Sequence, residues 1–297
     1  MKYLPSVKLL YYLPDAERII ATSAKATLSP RDFNSINEKM SREDIENWLR
    51  ELVVRGHGSP LEHSIYVFEV TCSRVCSHQL VRHRHASYTQ LSQRYSDKYL
   101  KSLVEEASRL LGRNPPATFG ETALLLEEVV KSNLVFNQLL ELVSQAFIIP
   151  PVIVENRNED FLKGLLASTA EYYKALANGI SYEDARYLLP QAVKTRIIVS
   201  MNARELVEVF LPLRMCSRAQ WEIRFIAWEL WRQLVSVHPR IFKYTGPRCV
   251  LAENRSRSQP CTLNEFLEDR CEFTIERCPE KTPRHKILEC LNTAGSI

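Results

Sequence analysis

Positions 74–96 read RVCSHQLVRHRHASYTQLSQRYS, a stretch with Arg74, Arg82, Arg84 and Arg94, His78, His83 and His85, and no Asp or Glu. Guanidinium forks match the oxygen geometry of phosphates and carboxylates. Ser87, Thr89, Gln90, Ser92 and Gln93 stand between the charges and can complete hydrogen bonds to an oxygen-rich ligand. The chemistry on offer is recognition of an anionic small molecule. A solvated basic face would carry the same charges, but Leu80, Val81 and Leu91 root the stretch in a core. The histidines lack H-E-x-x-H or Cys/His spacing, so no metal is expected on them.

The elements that must position these groups can be read from periodicity. Val7–Tyr12 and Ile65–Thr71 have strand composition, as does Thr195–Met201. Helical spacing predicts helices over about 15–26 and from Ser41 to the Gly56-His57-Gly58 stop. A helix over about 73–83 should deliver Arg82-His83-Arg84 at its C-terminal end, with a polar loop after it. Further helices are expected over 121–147, 158–178, from Asn202 to about Phe210, and from Ser217 onward. The last carries an apolar stripe of Trp221, Phe225, Trp228, Trp231 and Val235.

With 297 residues, 45% hydrophobic, 25% charged and a net charge of +4, the chain can bury a sizeable core. The charge suits anionic substrates and is too small to imply a nucleic-acid surface. No apolar run reaches membrane-spanning length and no leader is evident, so a cytoplasmic location is expected. Eight glycines and no G-x-G-x-x-G or Walker loop exclude a Rossmann or P-loop site. From 249 onward five of the eight cysteines gather (Cys249, Cys261, Cys271, Cys278, Cys290) with no C-x-x-C pair. This tail fits a disulfide staple, a metal site or reduced thiols equally.

Arg82-His83-Arg84 followed by Ser92 after seven residues resembles the R-H-R-x7-S signature of the flavin-dependent thymidylate synthases. Gly56-His57, Pro60-Leu-Glu62-His63, Ser87-Tyr88 and Gln90-Leu-Ser-Gln-Arg-Tyr95 are similar to that family too. So are Ala185-Arg186, Leu189-Pro190, Asn202-Ala-Arg204, Leu213-Arg214 and Arg218-Ala-Gln-Trp-Glu-Ile-Arg224. The resemblance covers about 7–100 and 180–244. It implies an α+β fold, an antiparallel-rich sheet flanked by helices, with a catalytic domain over 1–245, a helical insertion at about 101–178 and a Cys-rich extension over 246–297.

The resemblance also implies reductive methylation of dUMP to dTMP, with methylenetetrahydrofolate as carbon donor, FAD as hydride carrier and NADPH as reductant, in a homotetramer with shared active sites. Carried over by motif, Ser59, Glu62, Arg82, His83, Arg84, Asn202 and Arg204 are FAD contacts. Gln79, Arg82, Gln90, Ser92, Gln93, Arg94, Arg186 and Arg214 are dUMP contacts, Gln90 standing where some members have Glu. Arg214 is the expected catalytic group, stabilising charge on the uracil ring, and His57 a wall for the folate. Ser92 has no base beside it in sequence and reads as a substrate contact. Cys216, two residues after Arg214, is a rival nucleophile better read as a small buried hydrophobe. The competing functions are a basic RNA-binding protein and a flavoprotein relative without dUMP turnover.

Overall fold

The computed structural model describes residues 2–295. Four strands, β1 (Ser6–Tyr12), β2 (Tyr66–Ser73), β3 (Ala86–Gln90) and β4 (Lys194–Met201), form a sheet in the order β1-β2-β4-β3. Leu13 N–H donates to the Ile65 carbonyl at 3.2 Å, Arg74 N–H to Val193 at 3.0 Å and Leu91 N–H to Arg196 at 2.8 Å. Each bond ties the end of one strand to the start of its neighbour, so all three pairings are antiparallel. The central strands bury alternate residues: Tyr66, Phe68, Val70 and Cys72 on β2, and Thr195, Ile197, Val199 and Met201 on β4. Helices supply most of the remaining elements. The α+β class with an antiparallel sheet is therefore realised.

The chain divides into two compact units. The first comprises the residues up to Ser6, Thr71–His78 and Thr89–Ile197. Its core is built on helices Lys98–Leu110, Phe119–Lys131, Phe136–Val143 and Glu159–Ala177, with Leu103, Leu126, Leu139, Leu162 and Leu166 fully buried. The single helix expected over 121–147 is in fact two. Thr118 and Glu121 form a capping box that starts the first. Ser132 leaves helical geometry at ψ 161° and bonds back to the Val129 carbonyl, closing it. The second stops at Val143, and Phe147 pairs with Val193 as an isolated bridge. The helix at 158–178 is observed as Glu159–Ala177, capped by Asn158.

The second unit holds Val7–Val70, Gln79–Tyr88 and the chain from Ile198. Ser41 caps helix Arg42–Arg55 in a box with Asp44, and Gly56 ends it at φ 72°. The helix expected over 73–83 is shorter, Arg74–Leu80. Arg82-His83-Arg84 lie past its end, and part of the expected polar loop is strand β3. The Tyr88 hydroxyl lies 2.8 Å from both the Leu80 and His83 carbonyls, so a side chain satisfies the helix end and turns the chain into the strand. Val81 is exposed, whereas Leu80 is fully buried.

Helix Trp221–Val237 buries Ile223, Ile226, Trp228, Leu230, Trp231 and Leu234. Trp221, Phe225 and Val235 are only half-buried, so the buried face is rotated from the expected stripe. After Asn202 the chain takes a π-helical turn, Glu205–Phe210, before a short α-helix, Leu211–Arg214. In the tail Cys261 and Cys271 form a disulfide, while Cys249, Cys278 and Cys290 remain thiols. Positions 296 and 297 of the expected extension, and position 1 of the expected catalytic domain, lie outside the described residues. Among the described residues no helix is long and apolar enough to cross a membrane.

Candidate active site

Within the second unit, His83 is the centre of a line of polar groups. Its Nδ1 meets Glu205 Oε1 at 2.9 Å, and its Nε2 accepts from Arg214 Nε–H at 2.9 Å. A ring nitrogen that accepts from a guanidinium carries no proton, so the imidazole proton sits on Nδ1 and is given to Glu205. Glu205 and His83 are both buried, and the ring rests edge-on against Phe210 with centroids 4.8 Å apart. Tyr88 pins the same loop from the other side, and burial, with the charge of Glu205, pushes its hydroxyl pKa up. Arg214 ends the short helix, and the Gln79 carbonyl lies 3.5 Å from one of its terminal nitrogens. Carboxylate, imidazole and guanidinium thus form one connected chain that fixes the plane of the Arg214 fork.

The same unit has a cleft lined by Glu62, His85, Asn202, Arg204, Glu205 and Glu208. Arg204 bridges it, donating to Glu62 at 2.5 Å and to Glu208 at 3.0 Å. Asn202 Oδ1 accepts the Glu205 N–H at 2.9 Å, which turns the backbone so that both acidic side chains and Arg204 leave on useful sides. Gly58 makes room for this arrangement: a Cβ there would stand 2.6 Å from Glu208 Oε1 and 2.7 Å from Arg204 Nε. Fork donors, an amide and carboxylate acceptors together suit a ligand that carries both hydroxyls and anionic oxygens, which a flavin dinucleotide does. The residues present fit that group.

A different cleft belongs to the first unit and is lined by Arg74, His78, Gln93, Arg186, Tyr187 and Gln191, with Leu189, Pro190 and Val193 beneath, and no acid. Burial first, and then the charge of Arg186, depress the Arg74 pKa. Two guanidiniums thus share one hollow. Glu183 is within 3.8 Å of both Arg186 and Arg94 but is itself exposed. Such a cleft favours a dianion.

The remaining expected contacts are placed less tightly. Gln90 donates to Thr195 Oγ1 at 3.1 Å, and Ser92 Oγ accepts the Arg94 N–H at 3.2 Å. The Ser92 hydroxyl is thus a turn-stabilising group. Ser59, Arg82, Arg84 and His57 are exposed. Burial pushes the Cys216 thiol pKa up, the opposite of what a thiolate nucleophile needs. Of the dUMP set, Gln90, Ser92, Gln93, Arg94 and Arg186 belong to the first unit and Gln79, Arg82 and Arg214 to the second. Sequence reasoning left Glu205 and Glu208 unmarked and assigned no specific role to Tyr88, Gly58, Arg74 or His78. Glu205 had a signal, an acid three residues past Asn202, but its burial has no trace in the sequence.

The family model described as "Thymidylate synthase complementing protein" matches residues 8–240. A curated flavin-dependent thymidylate synthase of Aeropyrum pernix is 44% identical, over 98% of this chain and 94% of that protein. The chain belongs to the flavin-dependent thymidylate synthase family. A second member, from Sulfurisphaera tokodaii, is 39% identical over 98% of both chains, so both alignments run through the cysteine-rich tail. A crystal structure of thymidylate synthase X from Helicobacter pylori with FAD and dUMP superimposes with a TM-score of 0.59 at 25% identity. That match covers 81% of this chain and 98% of the other.

Proposed function

We propose that this chain converts dUMP to dTMP by reductive methylation, taking the carbon from methylenetetrahydrofolate, in the cytoplasm and as a homotetramer with shared active sites. FAD, reduced by NADPH, supplies the hydride when bound. The reading is carried by the Glu205–His83–Arg214 line, with a 2.9 Å bond at each step. Uracil carbon 5 becomes nucleophilic only as negative charge builds on the ring and its carbonyl oxygens. A guanidinium held in a fixed plane stabilises that charge without giving up a proton. Arg214 has this role, and His83 and Glu205 act through it by holding its Nε.

Arg74 and Arg186, with His78 and Gln93, hold the nucleotide phosphate. Gln90, Ser92 and Arg94 bound that side, and Gln79 and Arg82 contribute to the substrate from their own segment. Glu62, Asn202 and Arg204 hold the flavin, with Ser59, Arg84 and the His83 loop beside it. His57 walls the folate. The support for these assignments is the motif carry-over together with the charge and shape of the two clefts.

The deciding experiment uses dUMP tritiated at carbon 5. Purified protein should be yellow and should release tritium only when methylenetetrahydrofolate and NADPH are both present. A colourless protein, or release without folate, would remove this reading.

A further inference from the structure

The second unit contains a small cavity whose lining shares no residue with either cleft above, and four cysteines line it: Cys216, Cys249, Cys278 and Cys290. They are separated by 32, 28 and 11 intervening residues, so only the fold brings them together. All four are unpaired thiols, although Cys261 and Cys271 of the same tail are joined. Ile287, Leu291 and Ala294 supply an apolar wall, and the Arg248–Glu280 ion pair, 2.8 Å, flanks the cavity.

Two of the sulfurs have a hydrogen-bonding group set against them. Thr282 N–H donates to Cys278 Sγ at 3.3 Å, from a loop in which Lys281 takes the left-handed φ of 65°. The Ser217 hydroxyl lies 2.8 Å from Cys290 Sγ. Arg224 donates to the Ser217 and Ala219 carbonyls at 2.8 and 3.1 Å, so the segment that follows Cys216 is held in place. Four free cysteines from distant positions lining one cavity, in a tail where Cys261 and Cys271 are joined, form a ready sulfur donor set. A sulfur-seeking cation binds such a set as thiolates and releases the thiol protons on binding.

We propose that Cys216, Cys249, Cys278 and Cys290 are the four ligands of a thiolate-bound metal centre. The shared chemistry is a soft, sulfur-seeking centre, either one zinc ion or an iron–sulfur cluster. A zinc tetrahedron with bonds of about 2.3 Å needs sulfurs about 3.8 Å apart. Among the described residues no three of these sulfurs lie within 4.8 Å of one another. Zinc must therefore draw the four inward, whereas a cluster of iron and sulfide spans the wider spacing. Cys216 is two residues past Arg214, so the centre also clamps the end of the helix that carries Arg214.

The test is metal analysis of the full chain, prepared anaerobically from cells grown with added iron and zinc. Either about one zinc, or about four irons with four acid-labile sulfides, is expected per chain. The two results distinguish the zinc and iron–sulfur forms. The C249S/C278S double variant should lose the metal, while C261S/C271S and C72S should keep it. Wild-type protein that is folded by circular dichroism yet binds neither zinc under reducing conditions nor iron with sulfide on reconstitution would overturn the proposal. So would recovery of the four cysteines as disulfides in mass spectrometry, or metal that survives C249S/C278S.

Discussion

Arg214 owes its geometry to two residues that need not touch the substrate. Its Nε is held by His83, which is held by Glu205, and Tyr88 fixes the carbonyl of His83 itself. R214A should lower tritium release by roughly 10²–10³-fold while flavin stays bound, because one pre-oriented electrostatic donor carries about that much. Unchanged turnover would refute its role. Removing only the hydroxyl with Y88F should cost about 1 kcal/mol of stability, the net worth of a hydrogen bond. In the other cleft, R74A should raise the dUMP KM roughly tenfold or more by removing a charge-assisted contact, about 1.4 kcal/mol per tenfold. Deoxyuridine without its phosphate should bind wild type and R74A alike, so a loss with both ligands would argue against a phosphate role for Arg74.

At the scale of elements, Gly58 is the position where the start of one short helix passes close to the Arg204–Glu208 pair. G58A pushes on the ends of two flexible side chains rather than on backbone, so the fold should persist. Flavin affinity should fall by about tenfold as Arg204 is displaced, read by flavin fluorescence titration. A lower melting temperature with unchanged flavin affinity would contradict this.

In the tail, Glu253 is buried on helix Arg248–Arg255 and accepts from Thr274 N, Thr274 Oγ1, Ile275 N and Arg257. Burial alone would raise its pKa, but these donors outweigh it and hold the carboxyl below its ordinary 4.5. Its contribution to stability is present above that value and is lost as pH falls through it toward the lower folded pKa. E253Q should therefore cost about 2 kcal/mol at neutral pH and flatten the acid side of the stability profile. A wild-type acid dependence in E253Q would locate it elsewhere.

For the molecule as a whole, the disulfide Cys261–Cys271 closes a loop with a sequence separation of 10. By loop-closure entropy it contributes at most about 2–3 kcal/mol, so C261S/C271S should lower the melting temperature while flavin binding continues. Light scattering should give four times the 34.4 kDa chain mass; a monomer would contradict the proposed assembly. The division of roles between sequence and fold follows from the range of the interactions. Periodic burial, capping boxes such as Ser41 with Asp44, and the left-handed Gly56 are set by residues within a few positions, and so the α+β class and the family motifs were legible. The break at Ser132 was not, because composition across 121–147 stays helical and only tertiary packing selects two helices. Strand β3 was hidden because an edge strand of polar residues lacks the hydrophobic alternation that marks a strand. The basic stretch announced anion chemistry by composition alone. That Glu205 lies 122 positions from the histidine it orients, and that four scattered cysteines line one cavity, was decided by the fold. Burial and partnership between distant residues leave no local pattern to read.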